Sequence, residues 1–457
     1  MKLGSDRYHL VGIGGAGMSA LARLLHGIGK EVTGSDAVVS DVLAALGQDG
    51  ITCWASHRPE RIVGENGYVV RSAAVPASNV EVRECELRGF TSLLYAEAVG
   101  RLSEGKRTLA IAGTHGKTTT TALTVAAMRA GGRDPSHLVG GDVPELGGNG
   151  YGGEDDLLLV EACEFNRSFH QLRPTGAAIL NVDHDHFDCY PSNEDLLEAY
   201  AGYLARVRPG GTVFVEEFVP EDVLQGVSDD VFVLRVGSGL FAEIRAVDVT
   251  DDLGRYSFVP ILKERRLRRV QLQLHGRFQM QNALFALGLA ELGGADPDLA
   301  CDGLSAFGGV RRRFELRRGA RGGVLINDYA HHPAEIRAVL RAARRRFPQQ
   351  RILVAFEPHQ HQRTLQLLDE FADVLKDADQ SIVSDIYGAR EAAEIRAKVC
   401  ARDLVEAIRS RGGSSEPGGC IRELPDRVDE LRNDNDLVLM LGAGEIDDVV
   451  EDVLARL

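Results

Sequence analysis

Short apolar runs and longer amphipathic segments alternate along the whole of this chain. Short apolar runs bounded by turn residues indicate buried strands, whereas apolar positions that recur with helical spacing indicate helices. Alternation of the two is typical of parallel sheets with helices packed on both faces. The pattern therefore predicts an α/β fold with doubly wound sheets.

The predicted elements form successive groups along the chain. The first group has predicted strands at 8–13, 31–33 and 68–71 and a predicted helix at 18–27. The second follows the polar segment 102–106, with strands at 109–112, 157–160 and 177–182 and helices at 120–129 and 282–292. Short alternating strands between 210 and 274 (212–215, 231–236 and 270–274) predict a small antiparallel layer appended to this group. The last group has strands at 324–328, 352–356, 381–385 and 437–441.

A chain of 457 residues is too long for one hydrophobic core. We predict three α/β domains in series. They are an N-terminal Rossmann-like domain at 1–105, a central P-loop ATPase-like domain at 106–311 that carries the small antiparallel sheet, and a C-terminal Rossmann-like domain at 312–457.

A glycine-rich turn, Gly-Thr-His-Gly-Lys-Thr-Thr, joins the predicted strand at 109–112 to the predicted helix at 120–129. In such a unit the backbone N–H groups and the helix N-terminus bind phosphate, the lysine reaches the terminal phosphates, and a hydroxyl can hold Mg²⁺. The usual loop has glycine six residues before the lysine, where this chain has Ile111, so the loop is a shortened form. It predicts a nucleoside triphosphate site. The residues concerned are Gly113, Thr114, His115, Gly116, Lys117, Thr118 and Thr119.

Composition narrows the class of protein. Hydrophobic content of 44% and charged content of 26% are ordinary for a globular protein. A net charge of −15 argues against nucleic acid as a partner, because phosphate neutralisation needs a basic face. The seven cysteines are scattered and lack C-x-x-C spacing, which indicates reduced thiols. With no signal peptide and no apolar run of membrane-spanning length, we expect a cytoplasmic protein that does not contact a membrane.

A second glycine-rich turn, at 12–17, joins the first predicted strand to the first predicted helix. Its glycines allow a tight turn and a close approach of the backbone to a pyrophosphate. Asp36 follows about 20 residues on, where a ribose hydroxyl is usually held. Taken alone, the pattern indicates a nicotinamide or flavin enzyme. A UDP-sugar carries the same pyrophosphate and ribose, and glycines that only serve packing are a further interpretation.

Polar side chains follow several predicted strands, at the edge where open α/β sheets bind ligands. Glu161 ends the strand at 157–160, where a second Mg²⁺ ligand is expected opposite the Thr118 hydroxyl, and Glu164 is a weaker candidate. The segment 183–188, Asp-His-Asp-His-Phe-Asp, is either a metal or phosphate site or a structural cluster. Histidines at 331, 332, 359 and 361 follow strands of the last group. Zinc is a rival interpretation there, without supporting ligand spacing.

Taken in order, these segments resemble the Mur ligase family, which builds the peptide stem of bacterial cell-wall precursors. The resemblance runs through essentially the whole chain. The motifs that carry it are the turn 12–19 with Gly34-Ser35-Asp36, the loop 113–120, Asp185-His186-x-Asp188, Arg312-Arg313-Phe314-Glu315, the segment 328–336, Asp385-Ile386-Tyr387 and Gly442-Ala443-Gly444.

The resemblance implies one domain for a UDP-sugar, one for ATP and one for an incoming amino acid. It implies that the first glycine-rich turn binds a UDP-sugar and not NAD. The UDP-sugar residues that it implies are Gly12, Gly14, Gly15, Ala16, Gly17, Met18, Ser19, Ser35, Asp36 and Ser72. It assigns Mg²⁺ to Thr118, Glu161 and His186, and catalysis to Lys117, Glu161 and His186. It implies ATP contacts for Asn282, Arg313 and Asp328, and amino-acid contacts for His359 and Arg363.

Three segments depart from the usual family pattern. The family has Glu-Ala-Asp-Glu-Ser-Asp where this chain has 161–166 with Cys163, and Pro-Gly-x-His-Asn where it has 275–279. The segment 360–362 also differs. Some relatives use a carbamylated lysine in the central domain, but no lysine occurs between Lys117 and Lys263. That absence fits the alanine-adding branch of the family.

The resemblance implies an ATP-dependent ligase of peptidoglycan synthesis. The carboxylate of UDP-N-acetylmuramate attacks the γ-phosphate to form an acyl phosphate, and the amine of L-alanine then displaces phosphate. The expected cofactors are ATP and Mg²⁺, and the expected state is a monomer or weak homodimer. One alternative is the recycling ligase that attaches a whole tripeptide to the same UDP-sugar. Others are a dinucleotide-dependent oxidoreductase, which leaves the loop at 113–119 without a role, and a non-catalytic nucleotide-binding scaffold.

Overall fold

A computed structural model describes residues 6–185, 187, 189–388 and 391–457. Its strands form three sheets, which follow one another along the chain in the predicted order. The fold is therefore the predicted series of α/β units. The residues at which the domains meet, 105/106 and 311/312, stay predictions.

The first sheet has five parallel strands in the order β3-β2-β1-β4-β5. Its strands are β1 (Arg7–Val11), β2 (Glu31–Ser35), β3 (Thr52–Trp54), β4 (Tyr68–Arg71) and β5 (Thr91–Leu94). Its helices are α1 (Ala16–Gly27), α2 (Asp41–Gln48), α3 (Val80–Leu87) and α4 (Tyr95–Gly105). The strand order reverses at β1, next to β4, which is where open α/β sheets bind ligands.

The central sheet has eleven strands. They are β6 (Arg107–Ala112), β7 (Ser136–Leu138), β8 (Gly150–Tyr151), β9 (Leu157–Glu161), β10 (Gly176–Ile179), β11 (Thr212–Glu216), β12 (Phe232–Gly237), β13 (Ile244–Asp252), β14 (Arg255–Leu262), β15 (Arg265–Arg266) and β16 (Val270–His275). The helices are α5 (Lys117–Ala130), α6 (Asn193–Leu204), α7 (Glu221–Leu224), α8 (Arg277–Leu292) and α9 (Pro297–Ala306). The strand β6 lies between β9 and β10, so the loop that follows it is at the middle of the sheet.

The predicted antiparallel layer is smaller than the sequence suggested. The strand β11 pairs in parallel with β10, and β12 pairs in parallel with β11, so both belong to the main sheet. Within 210–274, the antiparallel pairs are those of β14 with β13, β15 and β16. The prediction of antiparallel pairing was wrong for β11 and β12. Alternating apolar positions indicate that one face of a strand is buried, but they do not indicate whether the neighbouring strand is parallel or antiparallel.

The last sheet has six strands in the order β17-β18-β22-β19-β20-β21, all parallel except β17. They are β17 (Glu315–Arg318), β18 (Val324–Asp328), β19 (Ile352–Phe356), β20 (Gln380–Ser384), β21 (Ser415–Gly419) and β22 (Leu437–Leu441). The helices are α10 (Pro333–Arg346), α11 (His361–Gln366), α12 (Leu368–Leu375), α13 (Ala393–Arg396), α14 (Ala401–Ser410), α15 (Leu424–Leu431) and α16 (Val450–Arg456). Every residue of β18, β19 and β22 is buried, as their apolar runs predict.

Polar contacts join the successive units. Asn149, next to β8, donates through Nδ2 to the carbonyl of Ala16 and to Oγ of Ser19, at 2.8 and 3.0 Å. The guanidinium of Arg345 on α10 pairs with Asp251 of β13 at 2.7 Å. Among the described residues, no helix is both long and apolar enough to cross a membrane.

Candidate active site

The phosphate loop begins where β6 leaves the sheet and ends where α5 starts at Lys117. Gly116 caps α5 with a φ of 84°, in the left-handed region that favours glycine. A Cβ at this position would lie 2.9 Å from Oδ1 of Asn282. Glycine is therefore required both for the turn and for the close approach of Asn282.

Lys117 is held inside the loop by a buried counter-ion. Its Nζ donates to the carbonyls of Gly113 and Thr114, at 2.5 and 3.1 Å, and lies 2.9 Å from a carboxylate oxygen of Glu164. Burial alone would lower the pKa of Lys117, but the Glu164 carboxylate raises it above the ordinary value for lysine. The loop thus contains a full positive charge, as the binding of a triphosphate requires.

Glu161 and Thr118 face each other across the loop. The Thr118 hydroxyl donates to the Glu161 carboxylate, with oxygen separations of 3.0 and 3.2 Å, and the N–H of Gly140 donates to the same carboxylate at 2.8 Å. A hydroxyl and a carboxylate are the hard oxygen ligands that Mg²⁺ prefers, and it usually takes only one or two carboxylates besides nucleotide phosphates. This donor set therefore fits the predicted cation.

The other predicted metal ligand, His186, lies outside the described residues, as does Asp188. Within the described ranges, no group of three or more His, Cys, Asp or Glu side chains is arranged to hold a metal ion.

Asn181, which follows β10, forms two hydrogen bonds with the backbone of the phosphate loop. Its Oδ1 accepts from the N–H of His115 at 2.8 Å, and its Nδ2 donates to the carbonyl of His115 at 3.0 Å. The Thr114 hydroxyl donates to the carbonyl of Asp183 at 2.9 Å and accepts from the Asp183 N–H at 2.8 Å. These reciprocal bonds fix the conformation of the loop backbone.

A cavity of about 250 Å³ lies beside the loop, between the central and last units. Phe278, Gln279 and Asn282 of α8 line one side, and Ala338 and Val339 of α10 line the other. The amide of Asn282 donates to Oε1 of Gln279 at 3.0 Å. Amide groups beside apolar surface suit a purine base, because the ring faces are apolar and the ring edge is polar.

Asp328, the last residue of β18, binds the backbone at the start of the last unit. Its carboxylate accepts from the N–H of Phe314 at 2.6 Å and from the N–H of Ala330 at 2.8 Å. Burial raises its pKa to about 6, and the nearby Arg313 guanidinium opposes that rise. Arg313 itself lies over the Tyr329 ring at 4.9 Å, and both predicted ATP residues line the cavity.

His115 of the phosphate loop contacts the last unit directly. Its Nδ1 lies 3.0 Å from Oε1 of Glu335 on α10, and its Nε2 lies 3.4 Å from Oδ2 of Asp183. Glu335 also accepts from the backbone N–H groups of His331 and His332, which cap α10. Burial alone would lower the pKa of His115, but Glu335 and Asp183 raise it to about 9. A charged histidine therefore links the phosphate loop to α10.

This link predicts a specific pH dependence of stability. Because the pKa of His115 is raised to about 9, its stabilising effect is complete below about pH 6.5 and is lost as the pH rises through 9. We expect His115→Asn to cost up to about 3 kcal/mol of unfolding free energy at pH 6 and much less at pH 9.5. Urea unfolding of both proteins at the two pH values measures this. An equal cost at both would contradict a charged His115.

The glycine-rich turn after β1 is held against the end of β2. The N–H groups of Gly12 and Ile13 donate to the carbonyl of Ser35, at 2.8 and 3.0 Å. The N–H of Gly14 donates to Oδ2 of Asp36 at 2.9 Å, and a Cβ at Gly14 would lie 2.9 Å from that oxygen. The fold therefore places the predicted ribose carboxylate beside the predicted diphosphate turn.

The other predicted residues of this site differ in where their side chains lie. Gly15 caps α1, so Gly15, Ala16 and Gly17 form the start of that helix. Met18 is buried in the core. The Ser72 hydroxyl accepts from the N–H of Ala74 at 3.3 Å, at the end of β4.

Two serine hydroxyls that the resemblance assigned to the UDP-sugar form hydrogen bonds within the protein. The Ser19 hydroxyl donates to the carbonyl of Ala16 at 3.0 Å and accepts from Asn149. The buried Ser35 hydroxyl bonds to the carboxylate of Glu81 and lies 2.8 Å from Nδ1 of His57. Both serines hold the turn in place, and Ser35 also does so through its carbonyl.

The predicted amino-acid residues line a second cavity, of about 570 Å³, at the end of β19. His359 stacks on Tyr387 with ring centroids 5.5 Å apart. Burial, together with the neighbouring His331 and Arg363, lowers the pKa of His359 to about 3, so its ring is neutral. Arg363 is paired with Asp185 of the central unit.

Comparison with known proteins matches each unit separately. The model described as "Mur ligase family, catalytic domain" matches residues 7–107, "Mur ligase middle domain" matches 111–290, and "Mur ligase, glutamate ligase domain" matches 312–444. A curated UDP-N-acetylmuramate–L-alanine ligase of Rubrobacter xylanophilus is 36% identical over 457 residues, which is 99% of this chain and 100% of the relative. The chain belongs to the Mur ligase family.

Further comparisons agree on fold and family. The UDP-N-acetylmuramate–L-alanine ligase of Salinibacter ruber is 37% identical to this Mur ligase over 96% of the chain and 92% of the relative. Among solved structures, a UDP-N-acetylmuramate–alanine ligase of Thermotoga maritima matches with a TM-score of 0.79 at 24% identity over 98% of both chains. A murein peptide ligase of Psychrobacter arcticus matches with a TM-score of 0.74 at 21% identity, again over 98% of both. These two structures show the shared fold.

The family consists of ATP-dependent ligases, so this Mur ligase uses ATP. A ligase of Thermotoga maritima solved in complex with ADP matches its fold with a TM-score of 0.63 at 16% identity, over 88% of this chain and 97% of the other. The predicted family, fold class and enzyme class are confirmed.

Sequence reasoning missed several residues that shape this site. Asp183 was treated only as part of a polar cluster, and Asn181 was not singled out. An asparagine just after a buried strand next to the phosphate loop is nevertheless a usable signal. Glu164 was considered only as a weaker metal-ligand candidate than Glu161, although it is the counter-ion of Lys117. The atypical segment 275–279 contributes Phe278 and Gln279 to the cavity beside the phosphate loop.

The histidines of the last unit bond to protein groups. The Nδ1 of His331 lies 2.9 Å from the carbonyl of Tyr329, and the Nδ1 of His361 lies 3.0 Å from Oε2 of Glu391. His332 accepts the N–H of Ala334 as the N-cap of α10. In this Mur ligase, His332 therefore caps α10, while His331 and His361 are bonded to neighbouring loop residues.

Proposed function

We propose that this Mur ligase joins L-alanine to the carboxylate of UDP-N-acetylmuramate and converts ATP to ADP and phosphate, as a step of peptidoglycan synthesis. The full-length likeness to curated alanine ligases supports it best, because it covers all three units at 32–37% identity. A dinucleotide-dependent oxidoreductase and the tripeptide-recycling ligase are not favoured by these relatives.

The reaction needs ATP because a carboxylate and an amine do not condense in water. The muramate carboxylate attacks the γ-phosphorus, and the bond to the ADP oxygen breaks, which leaves an acyl phosphate. The amine then adds to the acyl carbon, and the tetrahedral intermediate expels phosphate. In phosphoryl transfer the protein mainly positions the reacting groups and neutralises their charge.

The phosphate loop supplies that positioning in our assignment. Lys117 would leave Glu164 for the β- and γ-phosphates, while the N–H groups of residues 113–119 surround them. Thr118 and Glu161, with His186, would hold Mg²⁺, which neutralises charge on the phosphates when it is bound. Asn282 would contact the adenine, and Arg313 and Asp328 would approach ATP from the hinge.

The first unit would hold the UDP-sugar, with its diphosphate on the N–H groups of the turn 12–17 and its ribose on Asp36. Ser19, Ser35 and Ser72 would shape this turn. The amino acid would occupy the cavity at His359. We also propose domain boundaries at 105/106 and 311/312, a monomer or weak homodimer, and a cytoplasmic location.

Release of phosphate tests the function. We expect release only when UDP-N-acetylmuramate, ATP and L-alanine are all present, with the alanyl product identified by mass. A panel of amino acids and the tripeptide then measures selectivity. Use of the tripeptide in place of alanine would identify the recycling ligase, and a change in nicotinamide absorbance would identify an oxidoreductase.

Asp36 provides a test confined to the first unit. Its carboxylate orients the turn through Gly14 and is assigned to the ribose. We expect Asp36→Ala to weaken UDP-sugar binding by about tenfold or more and to leave ATP affinity unchanged. Calorimetric titration with each ligand measures both. Unchanged UDP-sugar affinity would remove Asp36 from the site.

A further inference from the structure

A buried ion pair crosses from the central unit to the amino-acid cavity. The Nε of Arg363 donates to Oδ1 of Asp185 at 2.9 Å, and its Nη2 donates to Oδ2 at 3.1 Å. The two side chains are only 3% and 7% exposed. A bidentate pair this well buried fixes the orientation of the guanidinium.

The remaining edge of the guanidinium is directed at His359. The Nη1 of Arg363 donates to the carbonyl of His359 at 3.0 Å and lies 3.2 Å from its Nδ1. A guanidinium has five N–H groups and can only donate. Four of the five are used by Asp185 and His359, so Arg363 has little capacity left for the carboxylate of a substrate.

The same contact determines the tautomer of His359. Because Arg363 can only donate, Nδ1 of His359 must accept, so the proton of the neutral ring is on Nε2. Among the described residues, none has a hydrogen bond to this Nε2, and the ring lines the cavity. His359 therefore offers a hydrogen-bond donor to whatever occupies that cavity.

We propose that Asp185 and Arg363 are positioning residues that hold His359 in its Nε2–H form, and that His359, not Arg363, donates to the carboxylate of the incoming amino acid. This inference rests on the proposed function. It also means that His359 is not the base that deprotonates the amine, because its basic nitrogen is occupied by Arg363.

A double-mutant cycle tests the pair. We expect Asp185→Asn and Arg363→Gln each to raise the KM for L-alanine by about tenfold, with little change in the KM for UDP-N-acetylmuramate. The double variant should be no worse than the poorer single variant, because the two residues act as one unit. Asp251→Asn is the matched control, since it breaks the exposed pair with Arg345 that joins the same two units, and its kinetics should be unchanged.

If Arg363 itself received the substrate carboxylate, removal of the competing Asp185 charge would lower the KM for L-alanine. That result, or additive effects in the double variant, would overturn the proposal. Circular dichroism and UDP-sugar affinity of each variant establish that it is folded.

The tautomer can be measured without substrate. In ¹⁵N-histidine-labelled protein, with His359→Phe used to assign the signal, we expect the His359 Nδ1 resonance in the range of an unprotonated imidazole nitrogen. Arg363→Gln should shift it towards a mixture of tautomers, while Asp251→Asn should not. An Nδ1–H signal in the wild type would overturn the proposal. Absence of alanine-dependent phosphate release by the wild type would instead overturn the proposed function and leave this measurement valid.

Discussion

Lys117→Ala is expected to abolish ligation, lowering kcat by at least about 1000-fold, while UDP-N-acetylmuramate still binds. The lysine is the charged group of the phosphate loop, and a backbone cradle alone does not neutralise the charge that moves during phosphoryl transfer. Phosphate release and calorimetric titration with the UDP-sugar measure the two effects. The exposed Lys376, which pairs with Asp373 at 2.8 Å, is the matched control, and Lys376→Ala should retain full activity.

The same substitution has a structural effect that must be separated from the catalytic one. It leaves the Glu164 carboxylate, only 2% exposed, without its main counter-ion. We expect a loss of unfolding free energy of about 3 kcal/mol, because a buried charge without its partner is costly. Lys117→Ala with Glu164→Gln should recover most of that stability and none of the activity. Recovered activity in the double variant would show that Lys117 acts only structurally.

Glu161→Gln is expected to lower kcat by about 100-fold or more and to raise the Mg²⁺ concentration needed for half-maximal activity. The amide keeps the size of the side chain but removes the negative charge that faces the Thr118 hydroxyl. Steady-state assays over a range of Mg²⁺ concentrations measure both parameters.

Glu216 is the matched control for Glu161. It also ends a parallel strand of the central sheet, but it accepts from the N–H of Phe218 at 2.7 Å and lies away from the phosphate loop. Glu216→Gln should leave the Mg²⁺ dependence unchanged. The same Mg²⁺ dependence in wild type and Glu161→Gln would remove Glu161 from the metal site.

The strands of the parallel sheets were the most predictable part of this fold. Four of them, at 68–71, 324–328, 352–356 and 437–441, have the predicted bounds. Each contains at least three consecutive apolar residues, because a strand between two neighbours with helices on both faces is largely buried. Helix starts were less predictable. The helices α5 and α8 begin several residues before the apolar pattern does, at Lys117 and Arg277.

The phosphate loop and the contact between Thr118 and Glu161 were predictable for a similar reason. Their chemistry depends on short spacings, from Gly113 to Thr118 and at the end of β9, which local sequence specifies. The role of Arg363 was not predictable in this way. Its partner Asp185 is 178 residues away in the sequence, so no local pattern reports the pair.

The sequence by itself therefore determined the α/β class, the order of the three units, the phosphate loop and the family. These depend on periodic burial and on motifs contained within single strand–turn–helix units. Only the tertiary structure decided which charges meet between units, among them His115 with Glu335 and Arg363 with Asp185. It also decided that the Ser19 and Ser35 hydroxyls bond within the protein. The physical reason is that the role of a buried polar side chain depends on its hydrogen-bond partner in the folded protein. In these cases that partner comes from another part of the chain.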